Sequence, residues 1–408
     1  MPGRRRWAGA GLTAAIWLAW PVTAGAQENG WPSALRLADG AFTAKPTGLL
    51  QIDLGTTFNH SRSGGPGGGA NVRRGRLGVE GGFADDVSYN LTWDFGGTPG
   101  DQNRLYEASL SWKVLDPVTL IAGVFEPSFS LQRGQSAADL LFLERAAITS
   151  AASSLAANSG QVGLEARANG DRWFTSGTLT GGQTGPGTDS SQRGAVARLT
   201  GLPLKAAALT VHLGVSGAWS FRPPRGSGGS RSVTLSADTE LALDRRDTLL
   251  DTGAIPAGSA YTGGVELGLG WRRLALQGEW YGIAVNQAGG GTRHFSGWYA
   301  QASWTFLGQP RAYQPRNATW GAPMPEEGGF DPRAGRWGAL EAGVRFSMLD
   351  LNDADIRGGQ QRIWSTGLGW WPSAHFGVFT QYQYVEITGA ASGNQRFQAL
   401  AVRTQVTF

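Results

Sequence analysis

The stretch Val118-Thr-Leu-Ile-Ala-Gly-Val124 alternates in hydrophobicity and leads into a long connection that contains Asp139-Leu-Leu-Phe-Leu-Glu-Arg145. The alternation predicts a β-strand, because successive side chains of a strand point to opposite faces. The connection runs from Ser128 to about Ser159 and is too apolar for a solvated loop, so it needs cover within the protein. If the other strands close into a barrel, the connection folds into the barrel interior and narrows it.

The first 26 residues have the three regions of a secretory signal peptide. Arg4-Arg5-Arg6 is the basic region, the stretch from Trp7 to Trp20 is apolar, and Ala24-Gly25-Ala26 is a small-residue cleavage site. We therefore expect export from the cytoplasm and cleavage after Ala26, which would leave 382 residues (408 − 26).

The composition favours a transmembrane β-barrel. The chain has 63 Gly and 17 Trp but no Cys, and no window of about 18 apolar residues follows the signal peptide. Its 35 basic residues become 32 when the three signal arginines leave, against 31 acidic ones. Net charge therefore does not indicate an anion-binding protein, and only the placement of charges can do so.

Seventeen stretches after the signal peptide alternate as strands do, from Leu50–Phe58 to Gln395–Phe408. Single-chain bacterial barrels have an even number of strands, so we predict about sixteen, with eighteen as the alternative. We also expect one of these stretches, between Trp219 and Tyr261, not to be a barrel strand. The predicted fold is all-β: a transmembrane antiparallel barrel with an inward-folded constriction segment.

The expected domain organisation is a signal peptide at 1–26, a periplasmic lead-in at 27–47 and an outer-membrane β-barrel at 48–408. Aromatic residues near the tight turns support a membrane location, because amphipathic rings favour the membrane–water interface. They are Phe83, Tyr89, Trp112, Trp173, Trp271, Trp370 and Phe376.

Several motifs in chain order resemble the phosphate-selective porin O and P family. They include Gly123-Val-Phe-Glu-Pro-Ser-Phe-Ser-Leu-Gln132, then Phe142-Leu-Glu-Arg145, and earlier Arg73-Arg-Gly-Arg-Leu-Gly-Val-Glu-Gly81. The resemblance covers nearly the whole chain after the signal peptide. It implies a sixteen-stranded outer-membrane barrel that usually trimerises, with inward-folded loops and a pore in each subunit.

Well-known members of that family select phosphate through a line of arginines and a cluster of lysines. Four arginines of this chain stand in matching motifs: Arg73, Arg74, Arg76 and Arg145. At the position after Gly123-Val-Phe125, where those members look basic, this chain has Glu126, and only three lysines occur in the chain. The resemblance therefore implies a porin more firmly than it implies phosphate selectivity.

Nine basic side chains are candidates for lining an aqueous anion path: Arg74, Arg76, Lys113, Arg133, Arg145, Arg167, Arg198, Arg345 and Arg403. Arg133 and Arg145 lie on the inward segment and are the candidates for the narrowest point. Fixed cations attract anions and partly replace their water. Carboxylates such as Asp53 and Glu279 also have an inward phase, so an anion-preferring pore and a weakly selective pore both remain open.

Two other classes of function are alternatives. A sealed structural or adhesion barrel would have no open path, and a barrel enzyme would need a cluster of catalytic groups in the lumen. His212 is the histidine with an inward phase, but no HExxH or GxSxG motif accompanies it, so we expect no enzyme, no catalytic residue, no cofactor and no metal site. The expected partners are outer-membrane lipid and lipopolysaccharide, small anionic or neutral solutes, and two further copies in a homotrimer, without nucleic acid.

Overall fold

The computed structural model describes residues 34–37, 41–62, 65–83, 85–97, 104–185, 189–226, 228–243, 248–327 and 329–408. The predicted signal peptide lies outside these residues. The first barrel strand begins at Phe42, and a short strand, Leu35–Leu37, pairs with its start.

Sixteen long antiparallel strands of the described residues form one sheet that closes on itself. The last strand pairs with the first from Leu49↔Thr407 to Phe58↔Gln398, so the wall has no free edge. The strands are β1 Phe42–Phe58, β2 Gly69–Phe83, β3 Val87–Asp94, β4 Arg104–Leu115, β5 Val118–Phe125, β6 Gln161–Asn169, β7 Trp173–Gln183, β8 Arg193–Ala206, β9 Leu209–Arg222, β10 Ile255–Trp271, β11 Leu274–Gln287, β12 Thr292–Leu307, β13 Ala339–Asp353, β14 Ile356–Ser373, β15 Phe376–Ala390 and β16 Gln395–Thr407.

The outside of the wall is apolar, as predicted, and its inside carries many polar side chains. On β1, Leu50 and Leu54 are 41% and 56% exposed, whereas Gln51 and Asp53 between them are fully buried. Most of the predicted aromatic residues at the strand ends also point outward and are exposed, Trp112 at 51% for example. No helix in the described part of the chain is long and apolar enough to cross a membrane.

The stretch Ser232–Leu243, which alternates like a strand, is not a barrel strand, so the predicted even count is confirmed. Only Ser232–Val233 and Ser236–Ala237 pair as short strands, and the stretch lies inside the barrel. Its apolar side chains, such as Leu235, are buried against the inner wall, while Ser236 lines a cavity. The stretch does alternate, but its apolar side chains pack against apolar residues in the lumen and do not face lipid.

Three connections fill one side of the lumen. They are residues 126–160, which we call the constriction segment; the described residues of 223–254; and the described residues of 308–338, which we call the periplasmic loop. The constriction segment contains helices α1 (Leu131–Gly134) and α2 (Ala147–Ser153), and the periplasmic loop contains the short strands Tyr313–Gln314 and Thr319–Trp320 and a 3-10 helix, Pro332–Ala334. Apolar residues from the first two connections pack with inward-facing residues of β10–β16 in one cluster.

The periplasmic loop departs from the expected pattern of short periplasmic turns. The chain ends and six turns of three residues or fewer lie at the same end of the barrel, which we therefore assign to the periplasm. The loop enters the lumen from that end and is held by Trp320, whose ring lies edge-on to Tyr313 and His212, with centroid distances of 5.0 and 5.8 Å. Gly268 permits this approach, because a Cβ there would lie 2.4 Å from the Trp320 ring.

The wall has two heights. Strands β3 and β5 have eight residues each, β6 has nine and β4 has 12, whereas β13, β14 and β15 have 15, 18 and 15. At about 3.3 Å per residue and a tilt of about 40°, eight residues rise roughly 20 Å, which is less than the roughly 25 Å apolar band of a membrane barrel. We call β3–β6 the low wall and β13–β15 the high wall.

Replacement of Trp320 by Ala should release the periplasmic loop from the lumen. The ring is only 4% exposed, and loss of a buried Trp costs about 3–5 kcal/mol of packing and cavity energy. Trypsin should then cleave the folded Trp320→Ala barrel after Arg311 or Arg316 much faster than the wild type. Trp364→Ala is the matched control, because Trp364 points outward and is 59% exposed. Equal cleavage of all three proteins would contradict the placement of this loop.

Candidate functional site

The constriction segment is anchored by its apolar run and by backbone hydrogen bonds. Leu141, Phe142 and Leu143 are buried against Trp371 and Phe379 of the wall. This burial explains why the connection between β5 and β6 contains an apolar run. Helix α1 is only four residues long and begins at Ser130, whose Oγ accepts a hydrogen bond from the Arg133 amide at 3.1 Å. The lumen therefore provides the cover that the sequence requires.

A shared carboxylate, Glu144, joins the constriction segment to the wall. Its two oxygens accept hydrogen bonds from Arg73 at 2.8 and 3.0 Å, from Arg74 at 3.0 and 3.3 Å, and from Arg403 at 2.9 Å. Burial alone would raise the pKa of the Glu144 carboxyl, but the three guanidinium groups outweigh burial and hold the pKa well below its usual range. The carboxylate is therefore ionised at neutral pH, and its anchoring is lost only as the pH falls through that low pKa.

Arg73 and Arg74 reach the same carboxylate although they are neighbours in a strand. The register of β1 with β2 passes from Gln51↔Arg74 to Ile52↔Val72, so Arg73 is the extra residue of a β-bulge. A bulge changes the direction of one side chain and lets both guanidinium groups enter the lumen. Strict alternation had predicted only Arg74 and Arg76 to point inward.

A second group of charges lies where the constriction segment leaves β5. Arg133 Nη2 is 2.9 Å from Glu126 Oε1, and Tyr106 Oη donates to Glu126 Oε2 at 3.1 Å. The Arg76 guanidinium lies 3.5 Å above the centre of the Tyr106 ring and pairs with Asp94 at 2.8 Å. The group therefore forms one continuous contact network from the wall to the constriction segment.

Arg145 lies just before helix α2 and binds the backbone in and after helix α1. Its guanidinium donates to the carbonyl oxygens of Gln132, Arg133 and Gln135 at 3.0, 3.3 and 2.7 Å. These bonds fix the constriction segment while the positive charge has no carboxylate of its own within ion-pair distance among the described residues. Arg145 is thus both a structural tie and a fixed cation.

Two cavities lie on either side of these charges. A cavity of about 180 Å³ toward the extracellular end is lined by Arg73, Glu144 and Arg145, among others. A cavity of about 610 Å³ toward the periplasm is lined by Glu126 and by inward residues of β1–β6. The groups between them, Arg76, Tyr106, Glu126, Arg133 and Arg145, form what we call the constriction.

The structure places the nine predicted residues in four different settings. Arg76, Arg133 and Arg145 come together at the constriction, and Arg167 lines the larger cavity. Lys113 lies at the periplasmic turn, where it pairs with Asp116 at 2.7 Å. The other four are buried in contacts that hold the inserted segments: Arg74, Arg198, Arg345 and Arg403.

These buried arginines act as anchors and do not border either cavity. Arg198 donates to Glu266 through Nε and Nη2 and to the carbonyl oxygens of Asn317 and Ala318 in the periplasmic loop. Arg345 pairs with Glu240 at 2.7 Å, and Arg403 binds both oxygens of Asp53 at 2.6 and 2.7 Å. The sequence predicted their inward phase but could not show which connections would pack against them.

Several functional side chains were missed by the sequence-based prediction of the site. Glu126 and Tyr106 lie at the constriction, and Arg316 of the periplasmic loop lines the larger cavity. Arg311 binds both oxygens of Glu341 at 2.7 Å and so fixes the periplasmic loop to β13. The unusual length of the connection between β12 and β13 was the available signal for the loop residues.

Comparison with known proteins agrees with this geometry. A profile of the family described as phosphate-selective porin O and P matches residues 45–408. Porin O of Pseudomonas aeruginosa is 24% identical over 342 residues, which are 78% of this chain and 75% of that protein.

Solved structures with the same fold include the trimer form of OmpT from Vibrio cholerae, with a TM-score of 0.51 and 10% identity. They also include an anion-selective porin from Comamonas acidovorans, with a TM-score of 0.52 and 10% identity. Each match covers 90% of this chain and all of the other chain.

Replacement of Glu144 by Gln should loosen the constriction segment. Three guanidinium groups would lose their shared anion, and a buried charge left without its partner costs about 3 kcal/mol. Hydrogen exchange of the amides of 139–150 should become roughly a hundredfold faster, since 1.4 kcal/mol is about a factor of ten in an opening equilibrium. Asp116→Asn is the control, because Asp116 lies in an exposed turn. Unchanged exchange in Glu144→Gln would show that this carboxylate is not the anchor.

Proposed function

Because the chain belongs to the phosphate-selective porin O and P family and is therefore a porin of the bacterial outer membrane, we propose that it passes small hydrophilic solutes with a weak preference for anions. Transport would be passive and would follow the solute gradient. The narrowest point would be the constriction, with the two cavities as its vestibules.

The charge balance around the constriction carries this proposal. Six guanidinium groups lie at the constriction and at the adjoining Glu144 anchor: Arg76, Arg133 and Arg145 at the first, and Arg73, Arg74 and Arg403 at the second. Four carboxylates accompany them, from Asp53, Asp94, Glu126 and Glu144, so the formal balance is 6 − 4 = +2. A modest excess of fixed positive charge in a narrow, wet passage attracts anions without binding them tightly.

The larger cavity explains why the preference should be weak. Its basic and acidic linings balance at four each: Arg36, Lys45, Arg167 and Arg316 against Glu80, Glu107, Glu126 and Glu165. The anion selectivity named for the Comamonas porin supports a similar tendency here. The strong phosphate selectivity implied by the family's name would need a more one-sided lining.

The family and the fold are those of a channel rather than of an enzyme. We propose no catalytic role for the inward-facing histidine, His212. It is fully buried, and its ring nitrogens lie 2.9 Å from Tyr313 Oη and 3.2 Å from Glu266 Oε2. These contacts suit a residue that holds the periplasmic loop.

We further propose that the barrel works as a homotrimer whose subunits meet at the low wall. Outward side chains such as Leu91 and Trp112 are about half exposed, so the low wall is apolar but too short to span the hydrocarbon layer alone. Contact with another copy would cover the polar connections at the extracellular ends of these short strands. The trimer form of the Vibrio OmpT structure supports this assembly, and outer-membrane lipid and lipopolysaccharide would surround the remaining wall.

The chain ends complete the proposal. Residues 1–26 would direct export and be removed, and the residues from 27 to the start of β1 would form a periplasmic lead-in. The barrel would then be assembled with its last strand, β16, closing against β1.

Single-channel recordings in a KCl gradient test the proposed channel and its selectivity. We expect stable conductance steps and a reversal potential that indicates a weak chloride preference. Arg133→Gln should shift the reversal potential toward potassium, because it removes one cation beside Glu126. Lys113→Gln, at the exposed turn, is the charge-matched control and should behave like the wild type. A potassium preference in the wild type would contradict the anion proposal, and a protein without steps would contradict the open channel.

The assembly is tested by paired substitutions on the two walls. Leu91→Gln on the low wall should reduce the trimer band on semi-native gels, because it places an amide in the proposed apolar contact. Leu368→Gln on the high wall is the control, since Leu368 is similarly exposed at 47%. Loss of the trimer only with the high-wall variant would move the interface to that side.

A further inference from the structure

Two groups of charges of opposite sign lie next to each other along the passage. The arginine collar consists of Arg76, Arg133 and Arg145 at the constriction. Next to it, where the larger cavity begins, lies the acidic belt of Glu107, Glu126 and Glu165. A solute that passes the constriction therefore meets both signs of charge within a short distance.

Two members of the acidic belt interact only with neutral donors among the described residues. Glu107 accepts a hydrogen bond from Ser109 Oγ at 2.7 Å. Glu165 accepts from Ser128 N and Oγ at 2.9 and 2.8 Å and from Thr178 Oγ1 at 2.7 Å. Neither carboxylate lies within 4.0 Å of a basic group of the described residues, so no ion pair there cancels its negative charge.

The belt and the collar are close because one short stretch connects them. Glu126 contacts Arg133 at 2.9 Å, and Ser128, two residues later, donates to Glu165. Glu107 precedes Ala108, which pairs with Val124 near the end of β5. All three carboxylates therefore lie around the point where the constriction segment leaves the wall.

The collar retains capacity for an anionic group. Arg133 is held by a single carboxylate, and its buried Nε has no hydrogen-bond acceptor among the described residues. Among the described residues, Arg145 is bonded only to backbone carbonyl oxygens, which do not neutralise its charge. Guanidinium groups in this state can bind a carboxylate of a passing solute.

We propose that the passage favours small zwitterions, such as amino acids and short peptides, over neutral solutes of the same size. The carboxylate of the solute faces the arginine collar while its ammonium group faces the acidic belt. A simple anion is attracted by the collar but repelled by the belt, so it gains less. This inference rests on the proposed function, since it needs an open path through the constriction.

Elementary electrostatics gives the size of the effect. Two unit charges 4 Å apart in water attract by about 1 kcal/mol, which corresponds to about fivefold in an equilibrium or a rate. A zwitterion gains such a contact at each end, but part of the gain offsets the water that it loses. We therefore expect its permeability to exceed that of a neutral analogue by roughly three- to fivefold.

Osmotic swelling of proteoliposomes that contain the full-length processed protein tests the proposal. The probes are glycylglycine, which is a zwitterion at neutral pH, and N-acetylglycinamide, which is neutral and slightly smaller. The wild type should admit glycylglycine roughly three- to fivefold faster. Glu107→Gln and Glu165→Gln should each reduce the glycylglycine rate and leave the N-acetylglycinamide rate unchanged. Two variants are used so that the test still stands if one of them does not fold.

Glu80→Gln is the matched control. It makes the same change in the same cavity, but Glu80 lies beside Lys45 at 4.0 Å and away from the collar, so both rates should stay at wild-type values. Equal rates for the two solutes in the wild type would overturn the zwitterion proposal and leave the channel intact. Absence of swelling with either solute would instead overturn the proposed function.

Discussion

The constriction segment stays in the lumen because the Glu144 carboxylate is shared by three guanidinium groups that come from two different strands. This interaction joins the first strands of the barrel, the last strand and the inserted segment at one point. A carboxylate in this setting is expensive to bury unless all of its acceptor sites are used, and here they are. The position of the passage, the distribution of the arginines and the separation of the two cavities all depend on it.

The lumen is divided because the inserted connections fill it from one side. Residues 126–160 and 223–254 enter from one end and residues 308–338 from the other, and they meet where Gln135 donates to the Trp320 carbonyl oxygen at 3.0 Å. The side of β10–β16 supplies apolar residues to this packing, while the side of β1–β6 lines the larger cavity. An arginine that is buried against an inserted connection therefore serves as an anchor, and an arginine that lines the larger cavity can meet solutes.

Much of the fold could be predicted from the sequence because a barrel wall is a local pattern. Alternation identified the strands, and the apolar run Leu140–Leu143 correctly indicated a segment that needs cover in the lumen. Arg133 and Arg145 were predicted to lie at the narrowest point because they belong to that segment. The site was harder to predict, since the pattern does not contain the long-range pairings that bury Arg198 and Arg345 or the bulge that turns Arg73 inward. Ser232–Leu243 shows best where prediction from alternation fails. An alternating stretch can pack its apolar side chains against an apolar surface in the lumen as well as against lipid.

The most direct test of this account asks which side of the lumen is wet. The chain has no cysteine, so single cysteines can be introduced without background and modified with a small anionic thiol reagent during single-channel recording. Ser88→Cys, which lines the larger cavity, should react and reduce the conductance, whereas Ser365→Cys, which is 3% exposed on the packed side, should not react. Rapid modification and block at position 365 with no effect at position 88 would contradict the account.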